Sequence, residues 1–569
     1  MAALVAQVQR GVIGVLRQSS VATLYSLALR LKEVGVLDGH SSGSSSRTTE
    51  LEAVADVVSD RDMSADILDG LIPSSSSQVG IADRRNQAQR RTLKKGEHGL
   101  HQQLIPAASW RVLNRLQDEG YESYLVGGSV RDLLLKQTPK DFDVLTTADP
   151  KQVKRSFPGH CIIVGKRFPI CHVSSLNTVI EVSSFCTSLD NQKGETVARK
   201  GVKGTEGWDM RDFPRWQNCL KRDFTVNGLM YDPFQSIVYD YVGGLRDLRK
   251  FQVRTVIPAD ESFQEDPARI LRAIRIAARL EFSFTKSTAR AIRDHKLSLL
   301  ELNKTRLQLE MNMLMAYGAS ARSIRLLWRY GILEYLLPIQ AQYLIGLNFQ
   351  RRDQRTNLFL ELLANMDSVT GADRPCHGGL WVAVLAFHLA LIERPRRPVV
   401  VAAVAFAMYY ATGFRKALVK ARKLHEASER TSIWGELASE TTETPEEETL
   451  DDCRELVIAS IDKVNQLSIA SITGETRHIL TGANPAVDMV VVSKPLFYRA
   501  HRLFDRAVVH ESDEESSEDM QKRSGRKARN SDRVSALTSG DLGELGLVFS
   551  HIVLSTLYTR AEQSDLILS

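Results

Sequence analysis

The hydrophobic pattern of this chain changes its period once, near Pro267, and that change constrains the fold more than any other feature. Between Ser109 and about Arg254, apolar residues gather in short β-branched runs at 123–126, 142–145, 161–164, 170–174 and 178–184, with turns between them. Runs of this length and composition predict strands. From Pro267 onward, apolar residues recur at helical spacing, with breaks near Pro338, Arg374 and Pro395. An α+β protein is expected: a small mixed-sheet head over 105–256, a helical neck over 257–340 and an elongated all-α body over 341–505. A further helical segment is expected over 536–569.

Two stretches read as disordered. Residues 39–104 carry serine runs and a basic cluster with few apolar residues, the composition of a low-complexity linker. Residues 506–535 turn from acidic (Glu511, Asp513, Glu514) to basic (Lys522, Arg523, Arg526), the pattern of a solvated charged segment. Residues 1–38 differ again. The first acidic residue is Glu33, and Arg10, Arg17, Arg30 and Lys32 precede it among serines and apolar residues at helical spacing. That is the character of a transit peptide, so a mitochondrial or plastid location is the expectation; an ordinary surface helix, with a cytoplasmic or nuclear location, is the alternative.

Several classes are excluded. No apolar run reaches the ~18–20 residues that span a bilayer. The runs at 380–392 and 399–411 are short, and the first is interrupted by His388, so buried helices are expected and no membrane contact. The 6 cysteines include no Cys-x-x-Cys pair, which argues against zinc ribbons and disulfide scaffolds. A net charge of +6 permits a polyanionic partner without requiring one. No particular protein partner is implied.

Chemistry concentrates in the head. The stretch 124–132 (Tyr-Leu-Val-Gly-Gly-Ser-Val-Arg-Asp) reads as a strand, a turn at Gly127-Gly128 and a helix, where backbone N–H groups can meet a phosphate and Arg131 can add a charge. The stretch 140–144 (Lys-Asp-Phe-Asp-Val) places Asp141 and Asp143 two apart on a predicted strand, so both carboxylates face one side. Hard oxygen ligands at that spacing suit Mg²⁺ bridging substrate phosphates. If the strand over 178–184 neighbours this one, Glu181 supplies a third carboxylate for a two-metal site. Read alone, each feature also fits something plainer: a common turn, two surface aspartates, a solvent-facing glutamate.

Together the motifs resemble the polymerase-β-type nucleotidyltransferases, and more narrowly the class holding bacterial-type poly(A) polymerases and tRNA CCA-adding enzymes. The likeness continues in order through 221–227 (Lys-Arg-Asp-Phe-Thr-Val-Asn), 240–247 (Asp-Tyr-Val-Gly-Gly-Leu-Arg-Asp) and 265–275 (Glu-Asp-Pro-Ala-Arg-Ile-Leu-Arg-Ala-Ile-Arg). It covers about 105–340 and fades beyond into general helicity. The resemblance implies catalytic roles for Asp141, Asp143, Glu181 and Asp223, with two Mg²⁺ ions at Asp141 and Asp143. It implies nucleotide contacts at Gly127, Gly128, Arg131, Arg222, Asn227, Asp266, Arg269, Arg272 and Arg275. Asp266 opens a helix with Pro267, and Arg269, Arg272 and Arg275 follow on one side of it, opposite a packing face of Ile270, Leu271, Ile274 and Ala278. Planar guanidinium groups there can meet a base edge or clamp phosphates. The chain departs from the family pattern at Cys186, where arginine is common, at Lys221 for arginine, at Ile276 for phenylalanine and at Gly228 for alanine or serine.

The implied activity is template-independent addition of AMP from ATP to an RNA 3′ end, with pyrophosphate released. The stretch 163–173 (Ile-Val-Gly-Lys-Arg-Phe-Pro-Ile-Cys-His-Val) resembles a segment that marks poly(A) polymerases. Addition of C, C and A to tRNA from CTP and ATP is the alternative. An RNA-binding protein built on an inactive head is a further one, against which the intact Asp141 and Asp143 argue. RNA would be held mainly through its backbone, and basic candidates beyond the head are Arg351, Arg352, Arg394, Arg396, Arg397, Lys416, Lys420 and Lys423.

Overall fold

In the computed structural model, residues 90–165, 169–185, 208–371, 374–410, 412–428, 431–439, 445–473, 494–512 and 537–558 are described. The expected transit peptide, most of the serine-rich stretch, Cys186, the residues 166–168 of the poly(A)-like segment and most of the charged segment lie outside them.

Eight strands form the head sheet: β1 (Arg91–Leu93), β2 (Ser123–Val126), β3 (Asp143–Thr146), β4 (Cys161–Val164), β5 (Ile170–Ser175), β6 (Thr178–Ser184), β7 (Leu229–Asp232) and β8 (Ile237–Asp240). Their order is β1-β8-β7-β2-β3-β6-β5-β4. β3 and β6 run parallel while every other pair is antiparallel, so the sheet is mixed. Alternation along the central strands fills two layers. Leu125, Val144, Ile180 and Val182 pack with α1 (Ala107–Asp118), whose Val112, Leu113 and Leu116 are fully buried. On the other face, Tyr124, Val126 and Leu145 pack with Phe213 and Trp216.

Two features correct the sequence reading. Residues 90–104 belong to the fold and not to a linker: β1 pairs with β8, and Leu100 is buried. A three-residue strand is too short to show a period, which is why it was hidden. β7 and β8 form a hairpin that the sequence reading also passed over.

The sheet is followed by helices, as the period change requires. A neck helix, α2 (Ala268–Leu280), buries Ile270, Leu271, Ala273, Ile274, Ile276, Ala277 and Ala278 on its packing side. Ile276 is therefore core, and its smaller side chain is accommodated there. Another neck helix, α3 (Lys304–Met315), packs across α2. In the body, α4 (Gly378–Glu393) and α5 (Pro398–Tyr410) are buried along almost their whole length, as expected of helices apolar all round. Among the described residues, no helix is long and apolar enough to cross a membrane.

Most of the basic candidates of the body are structural. Arg396 and Arg397 are buried against Asp452 and Arg394 pairs with Glu455. Arg351 lies 3.8 Å over the Trp328 ring and Lys420 4.1 Å over that of Tyr410.

Candidate active site

The site begins where β2 ends. Gly127 has φ 73°, a conformation that glycine adopts freely, and it turns the chain away from the sheet after Val126. A Cβ at Gly127 would stand 3.4 Å from Arg222 Nη1 and 3.6 Å from Asp143 Oδ2, so bare backbone faces both groups. Val126 is the partner of Asp143 across β2 and β3. Pairing with β2 ends there, and Asp141 lies just ahead of the strand. This corrects the expectation that both aspartates share a strand face. Asp141 is 68% exposed, with Oδ2 3.5 Å from Lys140 Nζ.

β6 does neighbour β3. Val144 pairs with Val182, which sets Glu181 beside Asp143. Glu181 is 54% exposed and its Oε1 lies 3.8 Å from His172 Nε2. Burial raises the Asp143 pKa from 3.8 to about 6, helped by the charges of Glu181 and Asp141 and opposed by Arg222 and Lys140. Among the described residues, no three acidic, histidine or cysteine side chains converge to hold a metal ion. The expected three-carboxylate cage is thus not formed by the protein alone. A buried carboxyl whose ionisation is held back by two neighbouring carboxylates nevertheless suits a divalent cation. Mg²⁺ commonly takes one or two carboxylates and completes its shell with substrate oxygens and water.

Across from this edge stand Arg222, Asp223 and Asn227. Asp223 Oδ1 accepts from the Phe224 N–H (2.8 Å) and from Asn227 Nδ2 (3.0 Å), and Arg272 Nη2 of α2 lies 2.8 Å from Oδ2. The latter contact is close but lacks hydrogen-bond alignment, since Oδ2 has no hydrogen-bond partner. Burial pushes the Asp223 pKa up, but Arg272, Asn227, the Phe224 N–H and Arg222 outweigh it, and the net shift is downward. Asn227 Oδ1 in turn accepts from Arg131 Nη1 (2.6 Å), and Arg131 Nε donates to Asp132 (2.7 Å). One chain of contacts therefore ties the neck helix to the first helical turn after Gly127.

The 240–247 turn holds this wall in place. Asp240 accepts four backbone N–H groups, from Val242, Gly243, Gly244 and Leu245, at 2.8–3.1 Å. A Cβ on Gly244 would come 2.3 Å from the Thr225 carbonyl oxygen, and one on Gly228 would meet Val242 Cγ2 at 2.6 Å. The family departure at Gly228 thus makes room for Val242. Asp247, fully buried, accepts from Thr225 Oγ1 (2.7 Å) and Arg254 Nε (3.0 Å).

Between these walls lies a cleft of about 240 Å³, lined by Gly127, Gly128, Asp143, Lys221, Arg222, Asp223, Asn227, Asp266, Arg269 and Arg272. Most of the residues singled out in the sequence meet here. Four stand outside the lining: Arg131 and Arg275 behind it, Asp141 and Glu181 beyond the carboxylate edge. Arg275 Nη2 lies 3.7 Å from Glu310 Oε2, a pair of which the glutamate is buried. Arg269 Nη1 donates to Ser262 (3.2 Å to O, 3.0 Å to Oγ) and to Glu265 (3.0 Å), and Asp266 Oδ1 accepts the Ala268 N–H (3.1 Å). Asp266 Oδ2 lies 3.6 Å from Arg306 Nη2.

Sequence reasoning missed the residues that support this ring. Lys221 lines the cleft but was noted only as a departure. Arg306 and Glu310 of α3 back Asp266 and Arg275, and nothing local in their helix marks them. Arg279 was findable, since it stands one helical step beyond Arg275; its Nη2 lies 3.4 Å from Asp132 Oδ2.

A mixed sheet that sets an acidic strand end beside a Gly-Gly turn, faced by arginines of a neck helix, defines the head and neck of a nucleotidyltransferase. Residues 123–254 match the poly A polymerase head domain, and residues 281–344 match a region described as a probable RNA and SrmB- binding site of polymerase A. Over these residues the chain is similar to bacterial poly(A) polymerases and to CCA-adding enzymes. It is 33% identical to Poly(A) polymerase I of Haemophilus influenzae over 265 residues, 46% of this chain and 58% of that protein. It is 34% identical to the CCA-adding enzyme of Geobacillus thermodenitrificans over 228 residues, 40% of this chain and 53% of that protein. The chain spans just over half the length of these curated relatives. Among solved structures, the Bacillus stearothermophilus CCA-adding enzyme in complex with CTP aligns with 71% of this chain and 93% of its own, at 22% identity and a TM-score of 0.39.

Proposed function

We propose that the protein is a template-independent RNA nucleotidyltransferase that adds AMP from ATP to RNA 3′ ends and releases pyrophosphate. The observation that carries this reading is the cleft itself. It joins the Asp143 carboxylate, a bare Gly-Gly backbone and the cations Lys221, Arg222 and Arg272 within one small polar space. Such a space suits a triphosphate with its α-phosphorus near the carboxylate edge. Asp141 and Asp143 would hold Mg²⁺, with Glu181 assisting from the neighbouring strand. Bound there, two ions would polarise the attacking 3′-hydroxyl and neutralise the leaving pyrophosphate.

The chain's own residues then position and neutralise. Gly127 and Gly128 let the phosphates approach the backbone, and Lys221 and Arg222 balance their charge. Asp223 and Asn227 fix the angle of Arg272 and Arg131, so the ring is organised before the nucleotide arrives. Asp266 and Arg269 offer an acceptor and a donor to a base edge. RNA would lie along the helices beyond α2, consistent with the match over 281–344.

The preference for ATP rests on the resemblance of the 163–173 segment, whose described residues include parts of β4 and β5, an antiparallel pair. Addition of C, C and A to tRNA is the second reading, favoured by relatives of nearly equal identity that bear that name. Full-length protein, a labelled RNA primer, a tRNA lacking its CCA end and each nucleoside triphosphate separately distinguish them. Repeated addition from ATP alone supports the first reading. CTP-dependent addition that stops at CCA supports the second, and no incorporation on either acceptor refutes both.

A further inference from the structure

The arginine row of α2 does not end at the cleft. Arg279, at the far end of the helix, lies 3.4 Å from Asp132 Oδ2 through its Nη2. Arg131 already holds Oδ1 of the same carboxylate through Nε and Nη2, both at 2.7 Å. Two guanidinium groups share one aspartate, so one positive charge is in excess. Beside them, Lys140 Nζ stands 3.5 Å from Asp141 Oδ2 and 4.5 Å from the centroid of the Tyr317 ring. Tyr317 lies between α3 and the next helix (Ser320–Arg329), so this cation–π contact joins neck to head at the loop that carries Asp141. Burial lowers the Arg279 pKa, while Asp132 and Asp141 act to raise it, which places Arg279 in the field of the same carboxylates.

None of Lys140, Arg279 and Tyr317 lines the nucleotide cleft. They flank the exposed aspartate, outside the lining of the nucleotide cleft. We propose that Lys140 and Arg279 form the seat for the last internucleotide phosphate of the acceptor RNA, with Tyr317 holding Lys140 in place. Lys140 exchanges Asp141 for the phosphate, and Arg279 contributes the charge that Asp132 leaves unbalanced. Cations set beside an aromatic ring are a recurring way to hold single-stranded nucleic acid. The inference rests on the transfer reading above, in that the seated strand is the one whose 3′-hydroxyl faces Asp141.

The test uses the full chain and a fluorescein-labelled single-stranded RNA oligonucleotide. Binding is measured across a series of salt concentrations in Lys140→Met, Arg279→Met and Arg279→Lys, with circular dichroism to establish that each is folded. Each Met variant is expected to weaken RNA binding and raise the RNA KM by about three- to tenfold, and to reduce the slope of log Kd against log salt by about 0.7. The KM for ATP is expected to stay within about twofold, and Arg279→Lys to keep most of the affinity, because the phosphate contact is mainly a charge. Folded Met variants with unchanged RNA affinity and slope overturn the seat. A rise in the KM for ATP in place of RNA assigns the cations to the triphosphate and also overturns it. If the wild type adds no nucleotide while the slopes fall as expected, the transfer reading fails and the phosphate seat stands.

Discussion

Replacing Asp143 by asparagine separates what the site costs the fold from what it does. Burial, together with Glu181 and Asp141, raises the carboxyl from 3.8 to about 6 in the metal-free protein. Between those values the folded state keeps a proton that the unfolded state has released. Stability therefore falls as pH rises from about 4 to about 6 and is level above, because the group with the raised pKa is favourable only while protonated. A raise of this size corresponds to an ionisation cost on the order of 3 kcal/mol, and water at the open cleft brings the expected effect to about 1–3 kcal/mol. Asparagine has nearly the same shape and no charge. Asp143→Asn is therefore expected to be more stable than the wild type by about 1–3 kcal/mol at pH 8 in chelator, although it incorporates no nucleotide. The advantage should shrink toward pH 4.5, and Mg²⁺ should raise the midpoint of the wild type but not of the variant. Urea denaturation with chelator or with Mg²⁺, at the two pH values, reads all of this. A variant no more stable at pH 8, or equally stabilised by Mg²⁺, refutes the electrostatic argument.

Glu181→Gln is expected to slow transfer strongly but less completely than loss of either aspartate, because Glu181 is half exposed and reaches toward His172; unchanged kinetics at saturating Mg²⁺ would leave it a sheet residue. Gly244→Ala is expected to cost about 1–3 kcal/mol, because its Cβ meets a backbone carbonyl that cannot step aside. The change should lower the denaturation midpoint and raise the KM for ATP through the shifted 225–227 turn. An alanine variant as stable as the wild type would show that the turn does not need glycine.

How much of this the sequence carried depends on the range over which each signal acts. The strands at 123–126, 161–164 and 178–184 have the limits expected of them, because β-branched runs bounded by turns are local signals. The aspartate strand starts later than expected: its pairing begins at Val126–Asp143 with β2 and at Val144–Val182 with β6. No property of residues 140–144 could show that. The Arg396-Arg397 pair shows the converse limit: its composition suggested a nucleic-acid contact, whereas Asp452 and Glu455, more than fifty residues away in the chain, pair with it. Glu310 was unreadable for the same reason, as its significance comes from Arg275 on another helix. Gly228 and Val242 show a departure and its compensation at two positions that only the fold brings together. The ring of cleft residues, by contrast, was legible because each motif keeps its own short spacing and the family likeness fixes their order.

The central claim is that the cleft between the head and α2 both binds the nucleotide and chooses it. The most direct measurement is kcat/KM for ATP and for CTP on one RNA primer, in the wild type and in Arg269→Ala. Arg269 lines the cleft and is held by Ser262 and Glu265 close to Asp266. A lost base-edge contact is worth about 1–3 kcal/mol, so the account expects a wild type that prefers ATP and a slower variant whose preference falls by roughly five- to 150-fold. A variant that slows equally with both nucleotides, or one that keeps the wild-type rate and choice, would contradict it.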